Sequence, residues 1–102
     1  MKKLLIVLTA LTFLASVALA ASADAEKLYK TRCIGCHGID GGKTPPGGNV
    51  VIKGKSAQEL LEALQGYKAG TFGGKGKKIM ESQVKTLDDA MLKDLADFVS
   101  GL

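Results

Sequence analysis

Tryptophan is absent from this chain of 102 residues, histidine occurs once, and cysteine and proline occur twice each. Each scarcity excludes something. A single histidine rules out a bis-imidazole metal site within one chain, and two cysteines only three positions apart cannot staple a long loop. Blocks of positive charge are missing as well. Fourteen basic against ten acidic residues give a net charge of +4, and Lys2 and Lys3 account for half of it. The remaining surface is mildly basic, which argues against nucleic acid as a partner. Internal repeats are lacking, and glycine enrichment is the only compositional bias.

What is present begins with Met1, Lys2 and Lys3 followed by an uncharged, apolar run from Leu4 to Leu19. This is the basic and apolar pattern of an export signal. Ala21, Ser22 and Ala23 form a small-residue cleavage site, so residues 1–23 are expected to be removed before Asp24. Ala18, Leu19 and Ala20 offer a second site, before Ala21, and retention of the apolar run as a membrane anchor is the remaining alternative. Export places the mature domain, residues 24–102, in the periplasm. It is expected to be a monomer with no stable membrane insertion after cleavage. A single domain of 79 residues has a modest core and commonly needs a disulfide, metal or cofactor as a staple.

Ala25, Leu28 and Tyr29 give an apolar side to a first helix between Asp24 and Arg32. From Gly38 to Gly54 five further glycines and Pro45 and Pro46 predict a long loop, of the kind that is either disordered or wrapped around something functional. Ser56 followed by Glu59 predicts a capping box for a second helix with Leu60, Leu61, Leu64 and Tyr67 as its stripe, ended by Gly66 or Gly70. A short helical segment around Ile79, Met80 and Val84 follows the loop "GTFGGKG". Asp88 is the predicted N-cap of the last helix, Leu87 its hydrophobic staple on Leu92, and Leu92, Leu95, Phe98, Val99 and Leu102 its apolar period. The fold class is therefore all-α, with three main helices, short helical segments and glycine-rich loops.

Both cysteines and the histidine fall within Cys33-Ile34-Gly35-Cys36-His37. This spacing reads as covalent attachment of one haem c: two thiols form thioethers with the vinyl groups and the adjacent imidazole ligates the iron. A structural zinc site would want four ligands, more than this cluster supplies. A thioredoxin-like dithiol would want a βαβ pattern, which is lacking. For the sixth iron position, thioether sulfur is a regular partner of histidine in electron-transfer haems. Met80 and Met91 are the methionines left after the leader. Met91 falls inside the last helix, whereas Met80 follows a flexible glycine loop 43 residues after His37, which makes it the expected ligand. Ile79 and Val84 are expected to exclude water around it.

With the export signal, the helix leading into C-x-x-C-H, the glycine loops, the late methionine and the terminal amphipathic helix, the chain resembles the class I monohaem cytochromes c, especially the short bacterial periplasmic ones. The resemblance implies thioethers at Cys33 and Cys36, iron ligation by His37 and Met80, and a crossing of the first and last helices through residues such as Ala25, Leu28, Leu95 and Phe98. Many members place a proline after the motif to fix the histidine; here Pro45 and Pro46 lie eight and nine residues beyond His37, which leaves the group that orients it open. Tyr29, Tyr67 and Phe72 either line the haem crevice, where a tyrosine hydroxyl could serve a propionate, or pack in the core.

An iron with both axial positions filled by protein has no place for substrate, so the expected function is an electron carrier and not an enzyme. The alternative is a haem-based ligand sensor or small redox enzyme with a weak or open sixth position. Lysines 43, 53, 55, 68, 75, 77, 78 and 85 dominate the loops while the first and last helices hold most of the acids. That asymmetry suits redox protein partners with an acidic docking patch.

Overall fold

The structure is a computed structural model that describes residues 23–48 and 50–102; the export-signal reading lies outside them, apart from Ala23. The described residues form four helices and no strands. The first, α1, runs through residues 23–37, further than the apolar spacing alone predicts, and so carries the whole cysteine and histidine cluster within it. Its middle, Tyr29–Cys33, is a π-turn: the Ile34 N–H donates to Tyr29 O, five residues back. Such wide turns are rare and concentrate at functional sites.

Gly38 ends α1 with φ of 84°, a value reached cheaply only without a Cβ, and a Cβ there would come within 3.0 Å of Lys43 Cβ. The loop beyond is pinned. Lys43 N–H donates to His37 O at 3.0 Å and Lys53 N–H to Gly41 O at 3.0 Å, while the Lys53 ammonium pairs with Asp40 at 2.8 Å.

Helix α2 spans Ala57–Ala69, with the Ser56 hydroxyl accepting from Glu59 N–H at 3.1 Å as its N-cap. Of the two glycines that could end it, Gly70 does. It adopts the left-handed conformation, Thr71 N–H reaches back to Gly66 O and Gly70 N–H to Tyr67 O, the two bonds of a Schellman motif. Gly66 stays inside the helix. Helix α3, Lys77–Val84, is the short element expected around Met80. Helix α4, Asp89–Ser100, is capped by Asp88, whose Oδ1 accepts from Met91 N–H at 2.8 Å.

Helix α4 is the hub because its apolar period is the most complete, with Leu92, Leu95, Ala96 and Val99 all buried. It packs on α2 through Leu60 and on α1 through Tyr29, whose ring meets Phe98 at 5.7 Å between centroids. Ala25 is fully buried and Leu28 lies against the same core. The helix-crossing residues expected from the resemblance thus lie in the core. Each fully buried large apolar side chain contributes about 1.5–3 kcal/mol. Few such side chains are available. Among the described residues only Tyr29, Leu60, Val84, Leu92, Leu95 and Val99 are buried apolar residues larger than alanine.

Candidate functional site

Cys33, Cys36 and His37 occupy the last turns of α1, and the structure ties that end of the helix into the core. Cys33 and Ile34 pack against the cluster of Tyr29, Leu60, Leu95, Ala96 and Val99. Burial pushes the Cys33 thiol up to about 11; Arg32 pulls it the other way and Cys36 adds to the rise. Both cysteines are free and half-buried. Burial also lowers the pKa of His37, which favours the neutral imidazole, the form that ligates metals.

The carbonyls around the cluster are taken by two residues that the sequence reading did not assign to it. The buried Tyr29 hydroxyl donates to Gly38 O at 2.5 Å, directly after His37. Lys43 makes two bonds, from Nζ to Gly35 O at 3.0 Å and from its backbone N–H to His37 O at 3.0 Å. Tyr29 therefore packs in the core, and its hydroxyl braces the histidine turn. Nothing in the spacing from Tyr29 to Gly38, or in Lys43 within a glycine loop, announces these bonds. They depend on how the chain reverses after α1.

His37 Nδ1 is buried and has no hydrogen-bond partner among the described residues. Neither Pro45 nor Pro46 takes it, and Pro45 O instead accepts from Gly48 N–H at 3.0 Å. Orphaned buried polar atoms are rare in native proteins. A neutral imidazole with such an atom, next to two free thiols a helical turn apart, fits covalent haem attachment. The zinc alternative fares worse: among the described residues no three of His, Cys, Asp and Glu converge as an ion site.

Met80 sits in the middle of α3, partly buried, with its N–H bonded to Gly76 O at 3.2 Å. Val84, one turn on, is buried, but Ile79 is 56% exposed, so of the two residues expected to shield Met80 only Val84 is covered by protein. Met91 lies in the first turn of α4, beside the buried stripe of the hub helix. Helix α3 packs on α2, not into the core around α1. Tyr67 and Phe72 form an edge-to-face pair at 5.0 Å on the path from α2 to α3. Exposed apolar residues cluster in the same two regions of sequence, Ile39, Val50 and Val51 after the cysteine cluster and Phe72 and Ile79 before and within α3.

The lysines divide into two sets. Lys53 and Lys55 have carboxylate partners, Lys43 braces Gly35, and the Lys68 ammonium donates to Leu87 O. Lys75, Lys77, Lys78 and Lys85 make no ion pair among the described residues. No helix of the described residues is long and apolar enough to cross a membrane.

Comparison with known proteins adds a family. The family model described as Cytochrome c matches residues 22–102. Cytochrome c-553 from Nitratidesulfovibrio vulgaris (strain DSM 19637 / Miyazaki F) is 42% identical over 103 aligned positions that cover all of both chains. Cytochrome c-553 from Desulfomicrobium norvegicum is 41% identical over 71 positions, 70% of this chain and 86% of its own. The Helicobacter pylori (strain J99) protein of the same name is 32% identical over 102 positions, all of this chain and 99% of its own.

Proposed function

The chain belongs to the cytochrome c family, as a class I monohaem electron carrier with covalent haem c and not an enzyme, and on that premise we propose that it is a soluble periplasmic shuttle with His37 and Met80 as the axial pair. When bound, the haem supplies a one-electron couple at its iron. The protein's contribution starts with Cys33 and Cys36, whose thiols form the thioethers. His37 offers a neutral imidazole on a turn braced by Tyr29 and Lys43. Met80 contributes a soft thioether sulfur that raises the potential relative to a harder ligand. Held by His37 and Met80, the haem would supply electron transfer and no bond to a substrate.

The observation that carries this reading is the orphaned, buried His37 Nδ1 beside two free thiols on one braced helix end. The test is the absorption spectrum of the purified protein, oxidised and reduced, before and after Met80→Ala. The weak red-edge band of iron–thioether bonding is expected in the wild type and lost in the variant. If it is missing from the wild type while carbon monoxide binds the reduced form readily, the sixth position is open and a sensor or small redox enzyme is the better account.

Residues 1–23 serve as the export signal, and the mature domain works as a monomer. Its partners are redox proteins with an acidic patch, met by Lys75, Lys77 and Lys78, which have no internal ion pairs among the described residues and stand just before Met80. Neutralising these three should flatten the dependence of the electron-transfer rate on ionic strength. An unchanged slope would remove them from the docking surface.

A further inference from the structure

The segment that delivers Met80 leaves and returns to one place, the last turn of α2. On the outgoing side the Schellman bonds fix Gly70 and Thr71, and Phe72 then folds back over Gly66. A Cβ on Gly66 would lie 2.5 Å from Phe72 Cβ and 3.3 Å from its Cγ, so the close approach exists only because residue 66 has no side chain. The Phe72 ring is held edge-on against Tyr67, and Gly73 lies against the opposite partner of that pair: a Cβ there would meet Tyr67 Cε1 at 2.6 Å. On the return side the Lys68 ammonium, in the same turn, donates to Leu87 O.

Gly66 is otherwise out of place. It sits in the helix interior without a positive φ, where glycine costs about 1 kcal/mol against alanine. Gly35, the helical glycine between the cysteines, would have nothing within 4 Å of an added Cβ. The contrast separates a glycine that leaves space empty from one whose space is filled.

We infer that Gly66 is a positioning residue for the sixth iron ligand: by seating Phe72 on α2 it fixes where the Met80 segment begins. This rests on the reading of Met80 as that ligand. An added methyl at residue 66 meets Phe72 at Cβ, an atom that rotation of the ring cannot move away, so the chain from Thr71 onward has to shift. The proximal side, on α1, is untouched.

The experiment compares holoprotein carrying Gly66→Ala, Phe72→Gly, both together, and Met80→Ala. The readouts are the iron–thioether band, the carbon monoxide affinity of the reduced form and the helical melting curve. Gly66→Ala is expected to fold with haem attached, weaken the band and raise carbon monoxide affinity at least tenfold. In the Phe72→Gly background, adding Gly66→Ala should change neither spectroscopic readout, because the clashing atom is gone. The positioning role is overturned if Gly66→Ala keeps the wild-type band and resistance to carbon monoxide while Met80→Ala loses them, or if its effect is the same with and without Phe72. If Met80→Ala leaves the wild-type band intact, the ligand assignment itself has failed and the positioning role falls with it.

Discussion

The two halves of the proposed iron site are built on different principles. The half with His37 lies at the end of a helix whose inner face is core: Ala25 and Tyr29 are buried, Cys33 and Ile34 touch the same cluster, and Tyr29 and Lys43 hold the backbone carbonyls. The half with Met80 rides on an eight-residue helix that buries Val84 and is moored to a single turn of α2. Loss of a proximal contact therefore costs global stability, whereas loss of a distal contact opens one segment while the core survives.

The sharpest way to break the comparison is at the thiols. Replacing Cys33 and Cys36 with alanine should abolish covalent haem, read as loss of haem staining on a denaturing gel. The protein should lose most of its cooperative unfolding transition, because the remaining buried side chains are few for a domain of this size. A well-folded apoprotein with a sharp melt would show that the core needs no staple.

Next in size is Tyr29→Phe, which keeps the ring against Phe98 and removes the bond to Gly38 O. A buried hydrogen bond lost in this way should lower global stability by about 1–2 kcal/mol in denaturant titration, leaving the iron–thioether band in place. A change in the band without a change in stability would reverse the assignment of the two halves.

Smaller again is Lys68→Met, which frees Leu87 O at the return side of the distal segment. Less than about 1 kcal/mol is expected globally, because Lys68 is exposed. Amide exchange in Lys77–Val84 should accelerate while Asp89–Ser100 is unchanged. Equal acceleration in both helices would show that α3 and the core open as one unit.

The smallest effect is that of Asp40→Asn. The hydrogen bond from Lys53, then that from Gly42 N–H, holds the Asp40 carboxyl below its usual range, at a fully exposed position. Its stabilisation is therefore present above the unfolded carboxylate range and fades as pH falls through the lower folded value. The variant should show a slightly flatter acid limb in thermal melts across pH and no difference below it.

Much of this was legible in the sequence because it is written in local patterns. Ser56 and Asp88 cap the helices they were expected to cap, the stripe of α4 is the buried stripe, and Cys33, Cys36 and His37 announce haem by their spacing. The family match and the helical fold agree with that reading. The braces were not legible. Tyr29 meets Gly38 only because α1 has a wide turn and the chain reverses after it. Lys43, which composition groups with the docking lysines, is drawn to the motif by the same reversal. Gly66 resembles a helix terminator until Phe72 is seen against it. Each depends on how the chain reverses over six to nine residues, for which single-residue preferences have no signal.

The wide turn Tyr29–Cys33 has one further consequence, in the way length variation is absorbed. Each residue of an α-helix advances about 100° around the axis, so one extra residue would normally swing the thiols away from the face that Ala25 and Tyr29 press into the core. A π-turn takes up that residue as a local widening and returns the helix to phase. The segment between core anchor and haem motif thus carries one residue more than a regular helix of the same phase, and losing that residue would leave both in register.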